Sequence, residues 1–297
     1  MKTRQGHYVP LLFLMTTLFG VSFVATKVAL EGLGVFQVVL GRYLPAFSVI
    51  LFLFWKKRGY FSVPRKDWKH FLFLTFIEPI GYFIFETFGV RWTSPSNVAL
   101  IIATIPGFAV IFAALLLKEH PTRLSLLGIW VSFLGVYTIV QGQETSAFAP
   151  RPLMGAGVTL GAAICAGLYN SLARKLSMRY HPITLTFYQS LVAALFFLPP
   201  AMLETVWGQP MQWNSRVVFS LLYLSLGGSV AGYFLLNFSL SRLGAARVAI
   251  FSNVIPVVTM VASYLVYGDL LSQTQFAGAV LILGGVFLAY RWGSPTG

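Results

Sequence analysis

Glu78, Tyr82 and Glu86 follow one another at intervals of four within FIEPIGYFIFETFG, residues 76–89. At that spacing three side chains line one stripe of a helix. The surrounding residues are apolar enough for lipid, where a charged side chain costs at least ~2.5 kcal/mol near the midplane. Two carboxylates in such a run require a wetted cavity, a cation or a proton. The residues expected at the depth of Glu78 are neutral: Thr17, Cys165, Ser229 and Asn253. Glu78 is therefore expected to exchange a proton or to hydrogen-bond an amino group. A permanently protonated acid packed between helices is the plainer alternative. Glu86 lies nearer the other face, at a depth that Lys27 and Arg42 share, and an ion pair with one of them is expected. That pair would either brace three helices or gate a mouth, and for Arg42 the bracing role is favoured.

The elements that must hold these groups are membrane spans. Of the 297 residues 57% are hydrophobic and 10% charged, against roughly 25% charged in soluble domains, and the mean hydropathy is +0.77. Crossing ~30 Å of hydrocarbon takes ~20 helical residues. Ten apolar runs fit, at about 9–30, 35–55, 70–90, 95–117, 124–141, 153–173, 184–203, 216–239, 246–267 and 275–291. The fifth and tenth are the shortest on which a span is drawn. The first has no small-residue cleavage site and reads as an uncleaved span. The fold class is thus all-α, a ten-helix membrane protein.

The net charge of +13 reports topology. With the amino terminus inside, sixteen of the 21 Lys and Arg residues fall in inner loops and tails, and three, Arg91, Arg151 and Arg216, fall outside. That asymmetry places both termini in the cytoplasm. Nucleic acid is excluded as a partner. The basic, aromatic stretch KKRGYFSVPRKDWKHF between the second and third spans suits the membrane surface.

The sequence also repeats itself. ALIIATIPGFAVIFAALLLKEHPTRLSLLGIWVSFLGVY aligns without a gap on AIFSNVIPVVTMVASYLVYGDLLSQTQFAGAVLILGGVF, which sets Pro106 on Pro256, Glu119 on Asp269, Gly128 on Gly278 and Gly135 on Gly285. GYFIFETF from Gly81 matches GYFLLNFS from Gly232, and SFVATK ending at Lys27 faces NSLARK ending at Lys175. The halves 1–145 and 146–297 then hold five helices each. Because five is odd, the second enters the membrane upside down. Inverted repeats enclose substrate sites near the midplane in secondary transporters.

By the repeat, Ser229, Tyr233 and Asn237 form the counterpart of the opening stripe. Ser22 faces Asn170 with Tyr169 beside it, and Asn253 precedes Pro256 by three. All are candidate cavity residues, although helix-to-helix hydrogen bonds would explain several of them. Pro106 and Pro256 are candidate kinks for gating. Asn97 and Arg247 begin equivalent helices at opposite mouths, and Arg247 reads as a snorkelling topology residue.

Ten helices, the FGVSFVATK start, Arg42 in the second helix, the mid-helix prolines and the acids ending the fourth and ninth helices resemble the drug/metabolite transporter superfamily. Within it the chain is most similar to the EamA family of bacterial ten-helix exporters. The family usually carries Trp-Gly where this chain has Phe19-Gly20. The resemblance implies a plasma-membrane carrier that exports small metabolites, with amino acids, aromatic ones included, as the nearest substrate class. It also implies a central cavity bordered by the first, third, fourth, sixth, eighth and ninth helices. Alternatives are a broad-specificity exporter or a phosphorylated-sugar or nucleotide exchanger, the latter disfavoured where no basic residue reaches the midplane. An enzyme is not expected: His7, His70, His120 and His181 lie in tails, loops or helix ends without Ser-His or metal spacing. The lone Cys165 excludes a disulfide framework, and no metal or cofactor is expected. The expected partners are a small-molecule substrate, the bilayer and a coupled proton.

Overall fold

The computed structural model describes residues 8–56, 59, 62–117, 121–143, 145–208, 211–243, 248 and 251–291. Among them the chain forms ten apolar helical elements and no strand, the architecture of a multi-pass all-α membrane protein. These are α1 (Val9–Ala29), α2 (Val35–Phe54), α3 (Arg65–Trp92), α4 (Pro95–Leu116), α5 (Arg123–Gln141), α6 (Pro152–Arg179), α7 (Pro182–Trp207), α8 (Ser215–Leu243), α9 (Val254–Tyr267) and α10 (Gln273–Arg291). Elements α1 to α8 are long and apolar enough to cross a membrane, and α9 and α10 carry shorter apolar stretches.

Local chemistry sets many of the helix starts. Pro95, Pro152 and Pro182 occupy first-turn positions, where the missing N–H costs nothing. Ser94, Thr122 and Asn214 cap α4, α5 and α8 by accepting from the backbone N–H three residues on, at 3.3, 3.1 and 2.9 Å. The side chains left outward are apolar: Phe52, Leu115, Trp130, Trp207 and Leu265 are each at least 70% exposed. A surface of that kind suits lipid.

Three spans are interrupted. In α3 a π-type segment covers Phe76–Gly81, and Glu78 takes an extended backbone (φ −145°, ψ 114°) just before Pro79. In α8 a similar widened segment covers Tyr223–Gly232. In α4 the helix breaks at Ala103 and Thr104, between Pro95–Ile102 and Ile105–Leu117, directly ahead of Pro106. In the ninth span, expected from residue 246, Val248, Phe251 and Ser252 are helical, and a turn at Asn253 separates them from α9, which has Pro256 in its first turn. A proline lacks the N–H that would join the preceding turn, so both breaks fall where that bond is absent.

The helices pair in a regular way. Element α2 packs on α7 and α5 on α10, α6 packs against both α3 and α4, and α1 packs against both α8 and α9. The α5–α10 contact is built from glycines: a Cβ on Gly278 would sit 2.7 Å from the Gly135 carbonyl oxygen and 2.6 Å from Ile139 Cγ1. Backbones that close gain dispersion contacts, which lipid-embedded helices depend on. Ser125 Oγ donates to the Ala289 carbonyl at 2.8 Å and pins one end of the same pair. Gly278→Leu should cost more than the ~1–3 kcal/mol of ordinary overpacking and lower the melting temperature in detergent. Gly284→Ala, where an added Cβ meets nothing, should hold or raise it.

Candidate functional site

The interrupted part of α3 faces the centre of the bundle. There Met15, Phe19, Ser22 and Phe23 of α1, Arg42 of α2, Glu78, Tyr82, Phe83 and Glu86 of α3, Ile102 and Ile105 of α4, Ala166 and Asn170 of α6, Tyr233 and Leu236 of α8, Ser252 and Ile255 surround one cavity. Its volume is about 70 Å³, room for a few waters. The walls are apolar and aromatic, and polar groups converge on it from α1, α2, α3, α6 and α8. That composition is usual for small-molecule sites.

Glu78 is 5% exposed and its Oε1 accepts the Tyr233 hydroxyl at 2.6 Å, a bond that joins α3 to α8. Glu86, 2% exposed, accepts from Thr87 Oγ1 at 3.0 Å. Arg42 is 3% exposed; its Nε donates to Ser229 Oγ at 2.8 Å and its guanidinium carbon lies 4.2 Å from the centre of the Phe83 ring. A guanidinium lying over an aromatic face gains from the ring quadrupole. The position depends on Gly228, where a Cβ would come 2.7 Å from Arg42 Nη2. Arg42 therefore borders the same cavity as Glu78, although the helix count put only neutral groups at that depth. The difference arises because a long side chain crosses a gap that a missing Cβ leaves open.

The expected ion pair is not formed. Among the described residues the ion pairs within 4.0 Å are Arg179–Asp67 and Arg216–Glu31, both at the mouths of the bundle. Lys27 turns to the end of α3, where Nζ donates to the carbonyls of Val90 (2.8 Å), Thr93 (3.0 Å) and Phe148 (2.7 Å) and lies 4.7 Å from the Phe148 ring centre. Carbonyls at a helix C-terminus lack partners in the chain and carry partial negative charge, which satisfies an ammonium without a carboxylate.

Of the other expected site residues, Ser22 and Asn170 border the cavity with Tyr82 and Tyr233. Ser22 Oγ also donates to its own helix at Leu18 O, 2.7 Å. Tyr169 and Asn237 lie behind the wall in a closed polar ring with Gln189. Tyr169 OH donates to Asn237 Oδ1 (2.9 Å), Asn237 Nδ2 to Gln189 Oε1 (3.2 Å), and Gln189 Nε2 to Tyr169 OH (2.9 Å). Gln189 carries little signal in the sequence, where it is one amide in an apolar helix. Ser229 serves Arg42, while Asn253 sits beside the cavity residue Ser252 with its Oδ1 buried and unbonded. Pro106 and Pro256 adjoin cavity residues Ile105 and Ile255. Arg247, Glu119 and His120 lie outside the described residues, and the side chain of Lys175 is likewise not described. Asn97 faces α10, accepting from Gln275 Nε2 at 3.2 Å.

The two mouths are tied differently. At the end of the bundle where α1 begins, Asp67 of α3 binds Arg179 at 3.1 Å and the Tyr180 hydroxyl at the foot of α6. At the opposite end, Lys27 is joined by several crosslinks. Glu204 of α7 accepts from the Phe36 and Gln37 backbone N–H groups of α2 (2.9 and 3.0 Å), and Tyr267 OH donates to Glu31 (2.7 Å). Asp269 accepts from Ser96 and Ser263 (2.7 and 2.8 Å). Together these tie α2 to α7 and α4 to the end of α9 at that face.

The EamA-like transporter family profile matches residues 7–141 and again 153–291. A relative in Bacillus subtilis (strain 168), named as the uncharacterized transporter YcxC, is 30% identical over 289 residues, covering 92% of this chain and 89% of that one. A Salmonella typhimurium (strain LT2) protein named a probable amino-acid metabolite efflux pump is 25% identical over 94% of this chain and 93% of its own. A solved crystal structure, 16% identical, superposes with a TM-score of 0.68 over 97% of this chain and 98% of that one, and so shares the fold.

Lys27→Met removes the ammonium and leaves the carbonyls of Val90, Thr93 and Phe148 without it, at about 1–3 kcal/mol for a lost charge-assisted acceptor site. A lower melting temperature in detergent and faster alkylation of a cysteine placed at Ala166 from that face are the expected readings.

Proposed function

The chain belongs to the EamA-like transporter family, and from that premise we propose that it exports neutral amino acids across the bacterial inner membrane by alternating access. As a family member it is a transporter, not an enzyme, and it moves a small molecule through a membrane. The observation that carries the finer reading is the pairing of charges in one cavity. The Arg42 guanidinium keeps a single hydrogen bond to the protein among the described residues and lies in a wall shared with Glu78 and Glu86. A carboxylate suits the guanidinium, an ammonium suits the glutamates, and the Phe19, Phe23, Ile102 and Ile255 walls suit an apolar side chain. One cation beside two carboxylates fits a phosphorylated dianion poorly. The name of the Salmonella relative points to the same class of substrate.

The reading includes two five-helix repeats, residues 1–145 and 146–297, in opposite orientations with both termini cytoplasmic. Adding five to each helix number turns the α3–α6 and α4–α6 contacts into α8–α1 and α9–α1, and returns α2–α7 and α5–α10 to themselves. That is the pattern an in-plane two-fold produces, and it supports the repeat. The excess of Lys and Arg in the loops on the side of the termini supports the orientation. In this reading the structure is closed to the outside by the Lys27 and Asp269 clusters. Glu78, bonded across to Tyr233, is the group that couples a proton to the cycle.

Counterflow in proteoliposomes against labelled neutral amino acids, nucleosides and sugar phosphates tests the proposal. Exchange of at least one neutral amino acid is expected, with no exchange of the amine that lacks its carboxylate. Arg42→Gln should weaken it on the order of tenfold to a hundredfold, the worth of a charge-assisted hydrogen bond. Absence of exchange with every amino acid rejects the substrate class. Glu78→Gln should flatten the pH dependence of exchange, and a pH profile identical to wild type removes the coupling role.

A further inference from the structure

Arg42 is the eighth residue of α2 and Gln189 the eighth of α7. Glu86 is the fifth residue of the helix that follows the widened segment of α3, and Asn237 the fifth of the helix that follows the widened segment of α8. Under the two-repeat reading above, on which this inference rests, Arg42–Glu86 and Gln189–Asn237 are the same pair of positions in the two halves. Their geometry is not the same. Asn237 donates to Gln189 at 3.2 Å. Arg42 is turned to Ser229, and no ion pair joins it to Glu86 among the described residues.

A carrier made of two like halves opens one way because the halves adopt different conformations. It opens the other way when they exchange them. Each contact seen in one half then reports what its counterpart does in the opposite state. Ser229 corresponds to Glu78 and Tyr233 to Tyr82, by the Gly81–Gly232 register. The Gln189–Asn237 bond maps onto an Arg42–Glu86 ion pair, the Tyr233–Glu78 bond onto Tyr82–Ser229, and the Arg42–Ser229 bond onto Gln189–Glu78. The mapped contacts are mutually consistent. Arg42 leaves Ser229 as Tyr82 arrives, and Tyr233 leaves Glu78 as Gln189 arrives.

We propose that Glu86 is the residue that displaces the substrate's carboxylate from Arg42. In the state shown here Arg42 is held on Ser229 with its outer nitrogens free for a carboxylate from the cavity. When the opposite face opens, Arg42 swings to Glu86, and the substrate loses its anchor on the side where it is released. Glu86 and the substrate therefore compete for one guanidinium, and the competition gives transport a direction of release.

The test follows accessibility without any substrate. An Ala166→Cys reporter is placed in the cavity wall in a Cys165→Ala background, and its alkylation by a membrane-impermeant maleimide is timed from each face of oriented vesicles. Glu86→Gln, nearly isosteric, removes a contact found only in the opposite-open state. Labelling from the face closed by Lys27 should fall about tenfold. Gln189→Arg with Asn237→Glu builds a charged pair that favours the state shown here and should lower it further. If the double variant does not fold, Glu86→Gln decides alone. Wild-type labelling from both faces in Glu86→Gln overturns the proposal, whatever its effect on exchange of labelled L-leucine. A fall in labelling with no leucine exchange in the wild-type protein upholds the switch and counts against the amino acid reading alone.

Discussion

A guanidinium that is 3% exposed within a bilayer-spanning bundle is the constraint to which the centre of this molecule is fitted. A buried guanidinium carries five N–H donors, so its surroundings must provide what water would have provided. They do so in three ways: a hydroxyl on Nε, an aromatic face at 4.2 Å, and a glycine whose missing side chain leaves a slot. The two glutamates border the same space without closing an ion pair on it. A tight buried pair would be strongly held and hard to break for an incoming ligand. Here the charges share a cavity and stay separate, the arrangement on which the proposed zwitterionic substrate rests.

Around this centre the scaffold divides into rigid and adjustable parts. The α5–α10 pair meets backbone to backbone through Gly135 and Gly278 and contributes no residue to the cavity. The interrupted elements all line it, beside the unbroken α1, α2 and α6. Glu78 sits in the extended break of α3, Tyr233 directly follows the widened segment of α8, and Ile102 and Ile105 flank the break in α4. Backbone leaves the helical ladder in a membrane only where protein or a cavity satisfies it. The irregular segments and the polar site thus occupy the same place for the same physical reason.

The spans could be read from the chain because hydrocarbon thickness fixes their length, and most boundaries fall within a few residues of the apolar runs. The four-residue spacing of Glu78, Tyr82 and Glu86 likewise carried over, since all three border the cavity. What was not legible depends on side-chain reach and on which neighbour a helix meets. Depth counted at ~1.5 Å per residue describes the backbone. It could not say that Arg42 would cross to Ser229 through the gap at Gly228, or that Lys27 would find peptide carbonyls in place of Glu86. The Tyr169–Gln189–Asn237 ring was hidden for a related reason. Its members come from α6, α7 and α8, and a single Gln in an apolar run has no periodicity to mark it.

The lock formed by Lys27 has a property that follows from its acceptors. Its partners are peptide oxygens, which neither gain nor lose protons in any habitable medium. A seal of carboxylate and amine would loosen as the surroundings acidify; this one keeps its strength. The Lys27 contacts are thus the part of this face that no carboxylate enters, while its other crosslinks, at Glu31, Glu204 and Asp269, are built on carboxylates.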